Sequence, residues 1–112
     1  MRLIDRLMES GVDLRQIDCF LAVATDLHFG KAAERLALAQ SSVSEAIRSL
    51  EQEAGGQLFV RTSRRVQLTP FGEKLRLGVE PAALVLRATP RAEIYPPGPG
   101  TKHRTVRSPF TK

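Results

Sequence analysis

The sequence has few residues of the types that form disulfides and metal sites. It contains one cysteine, two histidines and no tryptophan in 112 residues. Because Cys19 has no second cysteine to pair with, an intramolecular disulfide is excluded. His28 and His103 do not stand at a zinc-ligand spacing from Cys19. We therefore predict no metal site and no cofactor.

Long apolar runs are also missing. No run comes near the roughly 20 apolar residues that a membrane-spanning helix needs. Asp5, Arg6 and Glu9 interrupt the apolar stretch that a secretory signal would require at the N-terminus. We expect a cytoplasmic protein without a membrane partner. No combination of base, nucleophile and metal ligand has a catalytic spacing, so we predict no catalytic residues and no enzymatic activity.

The positive charge is unevenly distributed. The chain has 17 basic and 12 acidic residues, a formal net charge of +5. Residues 89–112 hold five of the basic residues and one of the acidic ones, so most of the excess lies in this segment. The same segment is rich in proline and glycine, which predicts a disordered tail. Such a tail can attract phosphates, but we favour a solvated chain end without a partner.

Apolar residues at helical spacing predict three helices. The first two span residues 14–26 and 30–37 and the third spans 41–54. The third helix has two distinct faces. Its apolar face holds Val43, Ile47, Leu50 and Ala54, and its polar face holds Ser41, Glu45, Arg48 and Gln52. Since residues 38–40 leave only a tight connection before it, the second and third helices form a helix-turn-helix.

The apolar period changes to two after Gly55-Gly56, which predicts two strands at 58–61 and 66–68. The turn between them is basic and has no acidic residue. With the preceding strand end, it presents Arg61, Arg64 and Arg65. We interpret this hairpin as a basic wing.

A further helix is predicted over 70–88, because Thr69-Pro70 is a typical helix start and apolar residues follow at helical spacing. Pro81 lies inside this helix and is expected to kink or break it, at a cost of about 3 kcal/mol of helix preference. A short amphipathic stretch is predicted at residues 2–9.

Six motifs occur in order along residues 12–72: Val12-Asp-Leu-Arg-Gln-Ile-Asp-Cys-Phe, Leu27-His-Phe-Gly-Lys-Ala-Ala-Glu-Arg-Leu, Gln40-Ser-Ser-Val-Ser, Ile47-Arg-Ser-Leu-Glu, Gln57-Leu-Phe-Val-Arg and Val66-Gln-Leu-Thr-Pro-Phe-Gly. Together they resemble the DNA-binding domain of LysR-type transcriptional regulators, a bacterial family. The resemblance covers residues 12 to about 80.

The resemblance implies a mainly α fold, a winged helix-turn-helix with a two-stranded β wing and a C-terminal linker helix. The DNA-binding domain would span 12–69, with the helix-turn-helix at about 29–54 and the wing at 57–69. A linker helix at 70–88 would form a homodimer. Residues 1–11 would be an N-terminal extension.

In this family the linker leads to a large C-terminal domain that binds a small-molecule effector. This sequence turns instead into the predicted tail at 89–112. We therefore expect a regulator truncated to its DNA-binding domain, with no small-molecule effector.

A recognition helix in the major groove presents its N-terminal residues to base edges. The residues expected to contact DNA from this helix are Gln40, Ser41, Ser42, Ser44 and Arg48. The wing is expected to contact the phosphate backbone or the minor groove through Arg61, Arg64 and Arg65, and further phosphate contacts are expected from Lys31 and Thr62. Of Ser41 and Ser42, one is expected to cap the helix and the other to contact DNA. For Arg48 an alternative stays open, in which it pairs with Glu51 or Gln52 on the surface.

Glu45 departs from the family pattern, in which this position is often basic. A carboxylate here repels phosphates unless it accepts a hydrogen bond from cytosine. Ser42 and Glu45 also have the spacing of a capping box, and we favour this role. The Glu45→Gln substitution is then expected to leave the ranking of DNA sequences unchanged.

The predicted function is sequence-specific binding of double-stranded DNA by a LysR-type transcriptional regulator. The partners would be DNA and a second copy of the chain. The alternative is an interaction module that does not bind DNA and dimerises with full-length relatives through the linker helix.

Overall fold

The structure, a computed structural model, describes Glu9 and residues 11–95 of the chain. The elements of this part are, in chain order, α1 (Leu14–Asp26), α2 (Phe29–Leu36), α3 (Gln40–Ala54), β1 (Phe59–Arg61), β2 (Val66–Leu68), α4 (Pro70–Gly78), α5 (Glu80–Ala88) and α6 (Arg91–Ile94). The predicted mainly α fold with a two-stranded wing is confirmed. Residues 2–8 and 96–112 lie outside the described residues. Within the described residues, no helix combines the length and the apolar character of a membrane span.

Helix α1 starts with a capping box. The Asp13 carboxylate accepts from the Gln16 backbone N–H at 3.1 Å, and the Gln16 side chain accepts from the Asp13 N–H at 2.9 Å. These two bonds satisfy backbone donors that have no partner inside the helix. Leu27 ends the helix in the left-handed conformation, with φ 50°. The chain therefore turns sharply into α2, whose N-cap is His28.

The core lies between the first three helices and the wing. Phe20 and Ile17 of α1 are completely buried, and Val43 and Leu50 of α3 face them from the other side. The ring of Phe59 lies 5.6 Å from that of Phe20. Because Phe59 belongs to β1, this aromatic pair joins the wing to the helical core.

The wing is an antiparallel hairpin in which Phe59 pairs with Leu68 and Arg61 with Val66. Side chains outside the strands fix its base. The Glu51 carboxylate accepts from the Leu58 N–H at 2.8 Å, and the Thr69 hydroxyl donates to the Gln57 carbonyl at 2.6 Å. Glu51 is thus half-buried and structural, whereas the sequence showed only an acidic residue near a helix end.

The predicted linker helix is interrupted close to Pro81, as we expected from the sequence. Helix α4 ends at Gly78, helix α5 begins at Glu80, and Val79 lies between them, fully buried. Pro81 occupies the first turn of α5, where its missing N–H leaves no intrahelical hydrogen bond unmade. Helix α5 then packs against α1, and its residues Ala82 and Leu86 are buried.

The start of the predicted disordered tail is ordered. Residues 91–94 form α6, Ile94 is buried, and the Tyr95 hydroxyl donates to Asp18 at 2.8 Å. Burial and this hydrogen bond both raise the pKa of Tyr95 above its usual range. The prediction of disorder was wrong for residues 91–95, because the average composition of the tail concealed an isoleucine that is buried and a tyrosine that bonds to Asp18 of α1.

Cys19 is buried on α1, and burial raises the pKa of its thiol to about 11. Since the thiolate is the reactive form, we expect iodoacetamide to leave the folded protein unmodified at pH 8 over a time that fully alkylates the chain in urea. Mass spectrometry of both samples measures the difference. Equal labelling in both would show that Cys19 is accessible and ionised in the fold.

Candidate nucleic-acid interface

Helix α3 presents a continuous polar ridge to the solvent. Val43, Ile47 and Leu50 are buried beneath it. We call the exposed residues on the opposite face the reading ridge, which consists of Ser41, Glu45, Arg48 and Gln52. This arrangement agrees with the two faces predicted from the sequence. The ridge is held outward because rotating the helix would expose its apolar face to water.

The start of α3 differs from the prediction. Its N-cap is Ala39, which makes no side-chain hydrogen bond. The helix begins at Gln40, so Ser41 and Ser42 are its second and third residues and neither is the N-cap. The expectation that one of the two serines caps the helix was wrong. The preceding turn explains the shift, because Ala37 is left-handed and Leu38 donates to the Ala33 carbonyl at 2.9 Å.

The predicted capping role of Glu45 was wrong for the same reason, since a capping box with Glu45 needs Ser42 as the N-cap. Its carboxylate instead lies 3.5 Å from the guanidinium of Arg48. Both side chains are about two-thirds exposed, at 68% and 69%. Arg48 therefore forms an ion pair on the surface, but its partner is Glu45 and not Glu51 or Gln52, as the alternative had proposed.

The tip of the wing is shaped by one threonine. The hydroxyl oxygen of Thr62 accepts from the backbone N–H groups of Arg64 at 3.3 Å and Arg65 at 3.1 Å. The Thr62 N–H donates to the Arg65 carbonyl at 2.9 Å. These bonds fix the turn and leave the side chains of Arg64 and Arg65 exposed. Of the ion pairs within residues 11–95, none involves either arginine.

Arg61 is held differently from the other two wing arginines. Its guanidinium carbon lies 4.0 Å from the centre of the Phe29 ring, a cation–π contact. Phe29 is the first residue of α2, and its ring also packs edge-on against Phe59. The charge of Arg61 is therefore fixed at the junction between the wing and the helix-turn-helix.

Two grooves connect the wing with the helix-turn-helix. The wing groove lies beside the start of α2 and is lined by His28, Gly30, Gln40, Arg61, Thr62, Arg64 and Arg65, among others. The strand groove lies between α3 and β1 and is lined by Ser44, Arg48, Glu51, Gln57 and Arg61, among others. Arg61 belongs to both grooves. Gln40, Ser44 and Arg48 therefore share one side of the domain with the wing arginines.

The remaining predicted residues lie apart from these two grooves. Ser41 and Ser42 line a third groove, toward the start of α1 and Tyr95, and Glu45 of the reading ridge lines it as well. Lys31 is exposed on α2, and its backbone N–H donates to His28 Nδ1 at 2.9 Å. The sequence-based interpretation missed Glu51 and Tyr95, since their partners, Leu58 and Asp18, are not recognisable from local patterns.

Comparison with known proteins gives a consistent result. The family described as bacterial regulatory helix-turn-helix protein, lysR family, matches residues 14–73. The HTH-type transcriptional regulator IlvR of Caulobacter vibrioides is 49% identical over 63 residues, which are 56% of this chain and 21% of IlvR. AlsR of Bacillus subtilis, also an HTH-type transcriptional regulator, is 50% identical over 62 residues, 55% of this chain and 20% of AlsR. The chain thus spans about a fifth of the length of these relatives.

Solved structures match over a longer part of the chain. The BenM DNA-binding domain in complex with catB site 1 DNA is 36% identical, with a TM-score of 0.61. The match covers 68% of this chain and 86% of that one. The oxidised form of OxyR from Corynebacterium glutamicum is also 36% identical, with a TM-score of 0.65, over 69% of this chain and 24% of that one.

Proposed function

The chain belongs to the lysR family of bacterial regulatory helix-turn-helix proteins, and from this we propose that it binds double-stranded DNA sequence-specifically as a transcriptional regulator in the bacterial cytoplasm. The observation that carries the proposal is the position of the reading ridge. Its member Arg48 lines the strand groove together with Arg61, and Gln40 at the start of the same helix lines the wing groove with Arg64 and Arg65. A helix so placed can enter the major groove while the wing follows the phosphate backbone. The DNA-bound BenM domain, which has a similar fold, supports this function.

Each part of the interface has its own role in this proposal. The α3 residues Gln40, Ser41, Ser42, Ser44 and Arg48 face base edges or adjacent phosphates. Glutamine can pair with adenine, and arginine with guanine. The wing residues Arg61, Arg64 and Arg65 contact the backbone, which supplies affinity without reading sequence. Lys31 and Thr62 add phosphate contacts. Thr62 also holds the turn of the wing through its hydrogen bonds to Arg64 and Arg65.

We propose that residues 12–69 form the DNA-binding domain and residues 70–88 the dimerising linker. Apolar side chains on α4 and α5 support the second assignment, because Leu77, Leu84 and Val85 are each more than half exposed. A homodimer would cover them and would bind an inverted repeat.

The Leu84→Glu substitution tests this dimer. Leu84 is 67% exposed, so a glutamate there should leave the protomer folded but bring two like charges to the interface. We expect the dimer dissociation constant, measured by sedimentation equilibrium, to rise at least tenfold. Leu27→Glu, at an exposed leucine outside the linker, is the control and should leave it unchanged. Equal dissociation constants for both variants would rule out the linker as the interface.

Selection of DNA from a random pool by the purified chain, at two salt concentrations, tests the proposed function. We expect one sequence to be enriched, with affinity that falls as salt rises. Absence of enrichment would contradict the proposal. If the chain then formed heterodimers with a full-length relative, it would act as an interaction module instead.

A further inference from the structure

Glu45 is the one acidic residue of the reading ridge. The structure gives it no part in capping α3. Among the described residues its ionic contact is with Arg48, at 3.5 Å. In the proposed function the exposed face of α3 lies against DNA, and an acidic residue on that face requires an explanation, because it repels every phosphate near it.

Protein stability does not supply this explanation. Both side chains of the Glu45 pair are about two-thirds exposed, and ion pairs of this kind contribute little to stability. Glu45 is also the sixth residue of α3, beyond the first turn in which the helix dipole favours a negative charge. Neither the fold nor the helix therefore depends on a carboxylate at this position.

Base chemistry supplies a more specific reason. A carboxylate only accepts hydrogen bonds, and the major groove offers two amino donors, those of cytosine and adenine. In adenine the N7 acceptor lies next to the amino group and would repel the carboxylate. Cytosine has no acceptor beside the amino group on its own base, since the adjacent ring position carries a C–H group, and the nearest acceptor is O6 of the paired guanine. A glutamate on a recognition helix therefore favours cytosine.

We propose that Glu45 is a specificity-determining residue that accepts a hydrogen bond from the N4 amino group of a cytosine in the major groove. This inference rests on the proposed DNA-binding function. Arg48 offsets the charge of the carboxylate at 3.5 Å and so reduces its repulsion by the backbone phosphates. The inference reverses the expectation from sequence that Glu45→Gln leaves the ranking of DNA sequences unchanged.

The experiment compares DNA selection from a random pool by the full chain and three variants. Glu45→Ala removes the acceptor, and Glu45→Gln replaces the carboxylate by an amide, which suits adenine. Glu53→Gln is the matched control, because Glu53 is an exposed acid on the same helix but lies outside the reading ridge. It removes the same charge without removing the proposed base contact.

For the unmodified chain we expect about a tenfold preference for cytosine at one position of each half-site. Glu45→Ala should abolish this preference, and Glu45→Gln should shift it toward adenine. Glu53→Gln should retain it. Thermal unfolding of both Glu45 variants should match that of the unmodified chain, because the side chain is exposed.

Three results would overturn the inference. One is an unchanged ranking in both Glu45 variants, and another is an equal gain in affinity for all sequences, which would show repulsion without base reading. The third is a loss of folding in both variants, which would assign Glu45 a structural role. If the unmodified chain enriches no sequence, the proposed function fails as well. If the unmodified chain enriches a sequence but both Glu45 variants rank DNA sequences as it does, the inference about Glu45 fails and the proposed function stands.

Discussion

Phe20→Ala is expected to destabilise the domain by about 3–5 kcal/mol, the range for deleting a large buried aromatic side chain. Phe20 is completely buried, and its ring packs at 5.6 Å against that of Phe59. The substitution removes the apolar contacts of α1 and also the contact that joins β1 to the helices. Urea unfolding followed by circular dichroism measures the change in the free energy of unfolding.

Phe71→Ala is the matched control, since Phe71 is only half-buried and packs at the edge of the core. This substitution deletes the same phenyl ring, but from a position where the side chain is already partly exposed to water in the folded protein. We expect a clearly smaller loss of stability than for Phe20→Ala. Equal losses would mean that the core is not centred on Phe20.

The helices could be predicted from the sequence because the residues that face the core are apolar and recur at helical spacing, which is visible within a short stretch of sequence. In α3 the buried residues Val43, Ile47 and Leu50 recur at helical spacing, and this alone identified both the core face and the reading ridge. The wing followed from the change to a period of two. In each case one side of the element faces the core, so the pattern is strong.

The start of α3 could not be predicted in the same way. Serine is a favourable N-cap, and Ser42 with Glu45 satisfied the local rule. The left-handed Ala37 instead places Ala39 at the N-cap. Tertiary packing of α2 against α3 sets this turn, and a local preference of about 1 kcal/mol did not prevail against it.

Contacts between distant residues were also invisible to sequence reading. The hydrogen bond from Tyr95 to Asp18 joins residues 77 positions apart, and that from Leu58 to Glu51 crosses the turn after α3. Neither leaves a periodic signal. The first orders the start of the tail, and the second fixes the wing on which the proposed phosphate contacts depend.

Replacing both Arg64 and Arg65 by alanine is expected to weaken DNA binding by removing salt-dependent interactions with phosphates. Both side chains are exposed at the wing tip, while the turn itself is held by Thr62, so the substitutions should leave the fold intact. Removing one arginine–phosphate interaction flattens the plot of log affinity against log salt by about 0.9, which gives about 1.8 for the pair in each bound protomer and roughly a 60-fold decrease in affinity per protomer at 0.1 M salt. Fluorescence anisotropy over a range of salt concentrations measures both quantities.

A double substitution elsewhere separates direct phosphate binding from net charge. Lys74 and Arg87 are exposed on α4 and α5 and line neither the wing groove nor the strand groove. Replacing both by alanine lowers the net charge by the same amount. At 0.1 M salt, screening weakens the interaction of DNA with charges that lie more than about 10 Å from it. We expect the salt slope of this control to stay close to that of the unmodified chain.

Since backbone contacts carry no base information, the wing variant should also keep the same ranking of DNA sequences. An unchanged slope in the wing variant would remove Arg64 and Arg65 from the interface, and a changed ranking would assign them to base reading instead.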